Sequence, residues 1–97
     1  MHPDKVHRDR LHDLTDLPNI GRAMAEDLRL LGVHRPEQLK GLDPLEMYER
    51  LQAVTGKRQD PCVLDVFLSV TRFMNGEAPR CWWEYTLERK QMLESIR

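Results

Sequence analysis

Apolar residues in this chain fall in short clusters separated by prolines and glycines, and the spacing within each cluster is helical. After ten polar residues, Leu11, Leu14 and Leu17 recur every third position, which predicts a short first helix with Asp9 as its N-cap. That helix stops before Pro18, because a residue preceding proline is pushed out of the helical region. The turn Pro18-Asn19-Ile20-Gly21 then leads into a second helix from Arg22 to Leu31. Ala25, Leu28 and Leu31 share one face of it, Met24 lies beside them, and Gly32 is suited to close it in the left-handed conformation.

Pro36 opens a third helix, "PEQLKGL", at a position where a missing amide does no harm. Asp43-Pro44 repeats that start for a fourth, in which Leu45, Tyr48, Leu51 and Val54 are spaced by three and Gly56 ends the run. The helix-turn-helix of residues 11–31 is thus echoed at 36–55. Asp60-Pro61 begins a fifth helix with Asp60 as N-cap and Val63, Phe67, Val70 and Met74 on one stripe. Leu64 and Leu68 widen the stripe, so this helix is expected at the centre of the core, ending at Asn75-Gly76. A polar loop through Pro79 leads to a last helix with Thr86 as cap and Leu87, Lys90, Leu93 and Ile96 at helical spacing. Nothing alternates as a strand would. The expected class is all-α, a compact bundle of five or six short helices.

Composition narrows the function. With 97 residues, 40% hydrophobic and 32% charged, the chain suits one modest globular core, expected as a single domain over 11–97 behind a loose segment at 1–10. No apolar run is long enough to span a bilayer. The start, "MHPDKVHRDR", lacks the apolar stretch of a secretory signal, so a cytoplasmic location is expected. A net charge of −1 gives no global attraction to nucleic acid, and any such binding has to come from a local patch.

The turn at 18–21 is such a patch. Backbone N–H groups of Ile20 and Gly21 presented at the start of the second helix, together with the positive end of its dipole, would receive a phosphate. Gly21 would allow close approach and positive φ, and Arg22 would add a charge. These residues resemble the helix-hairpin-helix motif of proteins that bind DNA without sequence preference, whose turn reads Leu-Pro-Gly-Ile-Gly. Leu17, Pro18, Ile20, Gly21, Ala25 and Leu28 match it. Asn19 replaces the first glycine, and asparagine is the residue that best substitutes where positive φ is needed.

Beyond the turn, "DPCVLDVF" and "WWEYT" are distinctive strings, and residues 11–90 resemble the small pathogenicity-locus family of bacterial helix-hairpin-helix proteins, often labelled mitomycin resistance proteins. The resemblance implies a bacterial origin, a helix-hairpin-helix fold related to the C-terminal domain of the competence regulator TfoX, and an indirect connection to DNA.

Each candidate feature also has a plainer reading. The turn at 18–21 equally serves to reverse the chain, and Asp13, Asp16, Glu26 and Asp27 nearby would repel a phosphate. The echoed turn, Leu42-Asp43-Pro44, offers no glycine amide and places a carboxylate at the critical position. Lys57 and Arg58 form the most basic cluster and are candidates for backbone phosphate, or a solvated loop in which Arg58 pairs with Asp60. Trp82 and Trp83 suit either a stacking or protein-interaction surface, or a cap on the open end of the bundle. Cys62, near a helix start, has the dipole to lower its thiol pKa, but reads as a small buried hydrophobe. Cys62 and Cys81 are expected as reduced thiols, and with His2, His7, His12 or His34 they lack metal-ligand spacing. No catalytic set, cofactor motif or metal site emerges. The leading expectation is a non-catalytic module contacting DNA backbone through Asn19, Ile20, Gly21, Arg22, Lys57 and Arg58. The alternative is a protein-interaction module using Trp82 and Trp83.

Overall fold

In the computed structural model, which describes residues 1–95, one helix is buried on every side. This is α3, Cys62–Met74, where Leu64 to Thr71 and Phe73 are all shielded from water. A helix wrapped by neighbours has to be apolar around its whole circumference, and the runs Val63-Leu64 and Val66-Phe67-Leu68 supply that. Phe67, Leu64, Leu68 and Val70 are each 0% exposed, and burial of such side chains contributes about 1.5–3 kcal/mol apiece. Around α3 pack α2 (Pro44–Thr55), α4 (Thr86–Ser95), the 3-10 turn Trp82–Tyr85 and the 3-10 turn Pro36–Leu39. The remaining helix, α1 (Arg22–Leu30), packs on α2 and on the 3-10 turn Leu14–Asp16. The radius of gyration is 12.5 Å, as expected of about 100 folded residues. The described residues contain no strand, so the class is all-α.

Among the described residues there are four α-helices, not five or six, because the first and third expected helices are single 3-10 turns, Leu14–Asp16 and Pro36–Leu39. A spacing of three is the 3-10 repeat itself, and in each case a side chain closes the turn at once. The Asp16 carboxylate accepts the amides of His12 (2.9 Å) and Asp13 (2.8 Å), so Asp9 caps nothing here. Gln38 does the same with the amides of His34 (2.6 Å) and Arg35 (2.9 Å). The echo between the two halves is therefore a 3-10 turn followed by an α-helix, repeated.

Helix ends follow the local chemistry. At the end of α1, Gly32 (φ 84°) donates to the Arg29 carbonyl and Val33 to that of Leu28, the paired bonds of a Schellman motif. Asp43 caps α2 through the Leu45 amide (2.9 Å), and Gly56 ends it with φ 66°. Asp60 accepts the Cys62 amide at 2.9 Å. Two stripes are corrected. Val54 is 54% exposed: at about 100° per residue, it stands half a turn round from Leu45, and Met47, Tyr48 and Leu51 form the inner face of α2. Leu87 is 69% exposed and Lys90 also faces solvent, while Leu93 is half-buried; Ile96 lies outside the described residues. Thr86 does not cap α4 but begins it in helical conformation, continuing the 3-10 turn before it.

Residues 1–10 make specific contacts. Pro3 is buried, and the Met1 amine donates to the carbonyls of Leu17 (3.0 Å) and Ile20 (2.8 Å). Arg8 lies 4.0 Å over the Phe73 ring and donates to the carbonyls of Phe73 and Glu77 (2.7 Å each), satisfying acceptors at the C-terminal end of α3.

Candidate functional site

The turn between the 3-10 turn at 14–16 and α1 is built around two buried side chains, Leu17 and Ile20, both 0% exposed. Between them Asn19 takes φ 65°, the left-handed conformation its identity anticipates. Its side-chain amide also does work that glycine could not, donating to Ser69 Oγ (3.0 Å) on α3 and to the Arg80 carbonyl (2.8 Å). The turn is thereby tied to the central helix and to the segment ahead of the tryptophans.

Two expectations about its amides are corrected. Ile20 does not offer its N–H outward: it donates to the Leu17 carbonyl at 3.4 Å, while the Asn19 N–H donates to the Met1 carbonyl at 2.8 Å. Gly21 is not left-handed but extended, with φ −95° and ψ −170°. Nothing lies within 4 Å of a Cβ built there, so the protein's own packing does not require glycine. What remains is an open helix start. No side chain caps α1, and Gly21 and Arg22 are exposed.

The acids nearby behave unequally. Backbone hydrogen bonds from Asp13 and His12 hold the Asp16 carboxyl below the usual carboxylate range, so it stays charged at neutral pH. Burial, and then Glu26, push Asp27 upward. At the echoed turn the Asp43 carboxylate occupies the start of α2, leaving that helix closed where α1 is open.

Trp82 and Trp83 open the 3-10 turn Trp82–Tyr85, which is closed by the Glu84 carboxylate accepting the Cys81 amide at 3.0 Å. Trp82 is half-buried and Trp83 59% exposed, their rings edge to face with centroids 5.6 Å apart. Asn19, Gly21, Cys81, Trp82 and Trp83, together with the first three residues of the chain, line one groove of about 400 Å³. The hairpin turn and the tryptophan pair, separate in the sequence, are a single surface.

Lys57 and Arg58 do not join it. Both are exposed between α2 and α3, and Arg58 lines a different cavity, with Tyr48, Arg89 and Lys90, which shares no lining residue with the groove. The Arg58–Asp60 pair is not formed among the described residues. The Asp60 carboxylate serves the Cys62 amide, which holds it below the usual range. Cys62 is half-buried, and burial followed by Asp60 pushes its thiol up, against the direction expected from the helix dipole.

A polar cluster that sequence reasoning missed sits beneath this second cavity. Asp65, 0% exposed in the first turn of α3, accepts the Thr86 hydroxyl (2.7 Å) and the Arg89 Nε (2.8 Å), and it holds the Arg89 guanidinium firmly protonated. The available signal was a lone acid inside the apolar run "VLDVF", in which Leu64, Val66 and Phe67 beside it are buried as well.

In class, this is a small all-helical protein assembled around one buried helix, with an open helix start facing an aromatic groove. The chain belongs to the pathogenicity locus family (Cdd1), whose model matches residues 7–91. It is also 44% identical over 81 residues to a protein of Streptomyces lavendulae named "Mitomycin resistance protein McrB", covering 84% of this chain and 77% of that one. No solved structure matches it significantly.

Proposed function

We propose that this protein is a non-catalytic binding module that contacts nucleic-acid backbone, without sequence specificity, through a helix-hairpin-helix-like turn at residues 18–22. The observation that carries the reading is the uncapped, exposed start of α1 at Gly21 and Arg22. Free amides and the positive helix end favour a phosphate oxygen there. The similarity to a protein named for mitomycin resistance supports a role in tolerance of that drug. Trp83, exposed on the same groove, is available to stack on a base. Arg58 and Lys57 lie apart from the groove and are not needed for this contact.

The test is fluorescence anisotropy of labelled single- and double-stranded DNA at two salt concentrations, with wild type and Gly21→Asp. An aspartate at this N-cap position fits the extended backbone, meets no neighbour, and caps the helix better than glycine by a few tenths of a kcal/mol. The variant should therefore fold at least as well as wild type while its carboxylate occupies the phosphate position. Affinity that falls about tenfold or more on substitution and drops with salt supports the contact. Equal affinity for wild type and variant rules it out.

A second reading has its own observation. Trp83 (59% exposed) and Leu87 (69% exposed) lie one helical turn apart across the start of α4, a pairing of large apolar side chains that suits a protein partner. Concentration-dependent sedimentation that Trp83→Ser abolishes would favour it over nucleic acid.

A further inference from the structure

The second cavity, about 500 Å³, lies between the end of α2, the start of α3 and α4, and its chemistry differs from that of the hairpin groove. Its fixed element is Arg89. The side chain is 13% exposed and its Nε is committed to Asp65, yet its terminal nitrogens have no hydrogen-bond partner among the described residues and are not sealed from solvent. A guanidinium carries five N–H donors in a rigid fork. One is anchored to the core, and the others are left to the cavity that Arg89 lines.

Two further cations share that lining. Arg58 and Lys90 are exposed, and neither has an ion-pair partner among the described residues. Against these three cations the lining holds one carboxylate, Glu94. Asp65 is buried below and already bonded twice, and Asp60 is engaged by the Cys62 amide. The lining also has an apolar part in half-buried Leu93 and the edge of Tyr48, which is buried and whose hydroxyl donates to the Gln59 carbonyl (2.8 Å).

We propose that this cavity binds a phosphate monoester. A monoester brings about −1.5 to −2 charges and three acceptor oxygens, matching a preset arginine flanked by two exposed cations, while the organic body it carries rests against Leu93. The cavity volume falls in the range of about 300–1,000 Å³ usual for small-ligand sites. The same chemistry is met in a free nucleoside monophosphate and at the 5′-phosphorylated end of a nucleic-acid strand. This site is independent of the hairpin.

Calorimetric titration of the full chain distinguishes these sources. Adenosine monophosphate is compared with adenosine, and a short 5′-phosphorylated oligonucleotide with its 5′-hydroxyl counterpart. The phosphorylated member of at least one pair should bind tenfold or more tightly than its partner, with the nucleotide pair identifying a metabolite site and the oligonucleotide pair a strand-end site. Arg58→Glu with Lys90→Glu, both on exposed positions, should abolish the difference while circular dichroism stays unchanged, and Gly21→Asp should leave it intact. Arg89 is not substituted, because its loss would unpair Asp65. If neither phosphate is preferred, or if the charge-reversed variant keeps the preference, the proposal is overturned.

Discussion

Arg89→Met should be the most damaging single change on the surface of α4, and its size can be worked out from what it leaves behind. Asp65 has no exposure, and of its two partners only the Thr86 hydroxyl would remain. Removing one member of a buried ion pair typically costs about 3–5 kcal/mol. Urea unfolding of both proteins measures this directly. The triple variant Asp65→Leu, Thr86→Val, Arg89→Met removes the charge along with its partners and should recover most of the loss, since apolar replacements of buried pairs are often neutral. A single-variant deficit under about 1 kcal/mol, where exposed ion pairs fall, or a triple variant as unstable as the single, would refute the assignment of Asp65 and Arg89 as a buried pair.

Three further outcomes are expected. Asn19→Gly, which restores the glycine of the motif the turn resembles, should destabilise by about 1 kcal/mol in urea: it relieves φ 65° but loses side-chain hydrogen bonds to Ser69 and Arg80, each worth about 0.5–1.5 kcal/mol. A more stable variant would mean those bonds contribute nothing. Asp16→Asn should weaken the 3-10 turn, with the gap from wild type present above pH ~4 and closing as pH falls further, because the folded-state value of Asp16 is depressed by the amides of Asp13 and His12; a gap that widens in acid contradicts this sign. Cys62 should react with iodoacetamide near neutral pH more slowly than a model peptide, since burial and Asp60 disfavour its thiolate, and faster alkylation would reverse that assignment.

The parts of the fold that were legible are those where one periodicity dominates. The α3 pattern has apolar residues around nearly the whole helix, which only a central position satisfies, and Gly32 and Gly56 end α1 and α2 with positive φ. The spacing of Leu11, Leu14 and Leu17 was ambiguous in principle, because three-residue repeats fit one 3-10 turn as well as a longer helix, and the deciding groups were the side chains of Asp16 and Gln38. Val54 and Leu87 misled for a related reason: apolar residues at a spacing of three drift off the buried face, and nothing local marks which is last inside. At the site, positive φ at Asn19 was readable from residue type. The juxtaposition of Gly21 with Trp83, and of Asp65 with Arg89, was not, since each joins segments distant in sequence and the second places charges where a hydropathy pattern expects none.

The identity of residue 21 bears on which reading of the turn is sufficient. A purely architectural turn asks of its last residue only that it fit the backbone and start the helix. At φ −95° and ψ −170°, with open space where Cβ would stand, any residue fits. For starting a helix, aspartate, asparagine and serine all surpass glycine, although only by a few tenths of a kcal/mol. The other helices use such groups: Asp43 at α2 and Asp60 at the first amides of α3. Neither strain, packing nor capping therefore selects glycine at the start of α1, whereas a phosphate oxygen approaching the amides would be obstructed by any Cβ and repelled by any carboxylate there. The proposed backbone contact accounts for the one open helix start among α1, α2 and α3. It also requires that stability and affinity respond oppositely to Gly21→Asp, a pairing that an architectural turn does not produce.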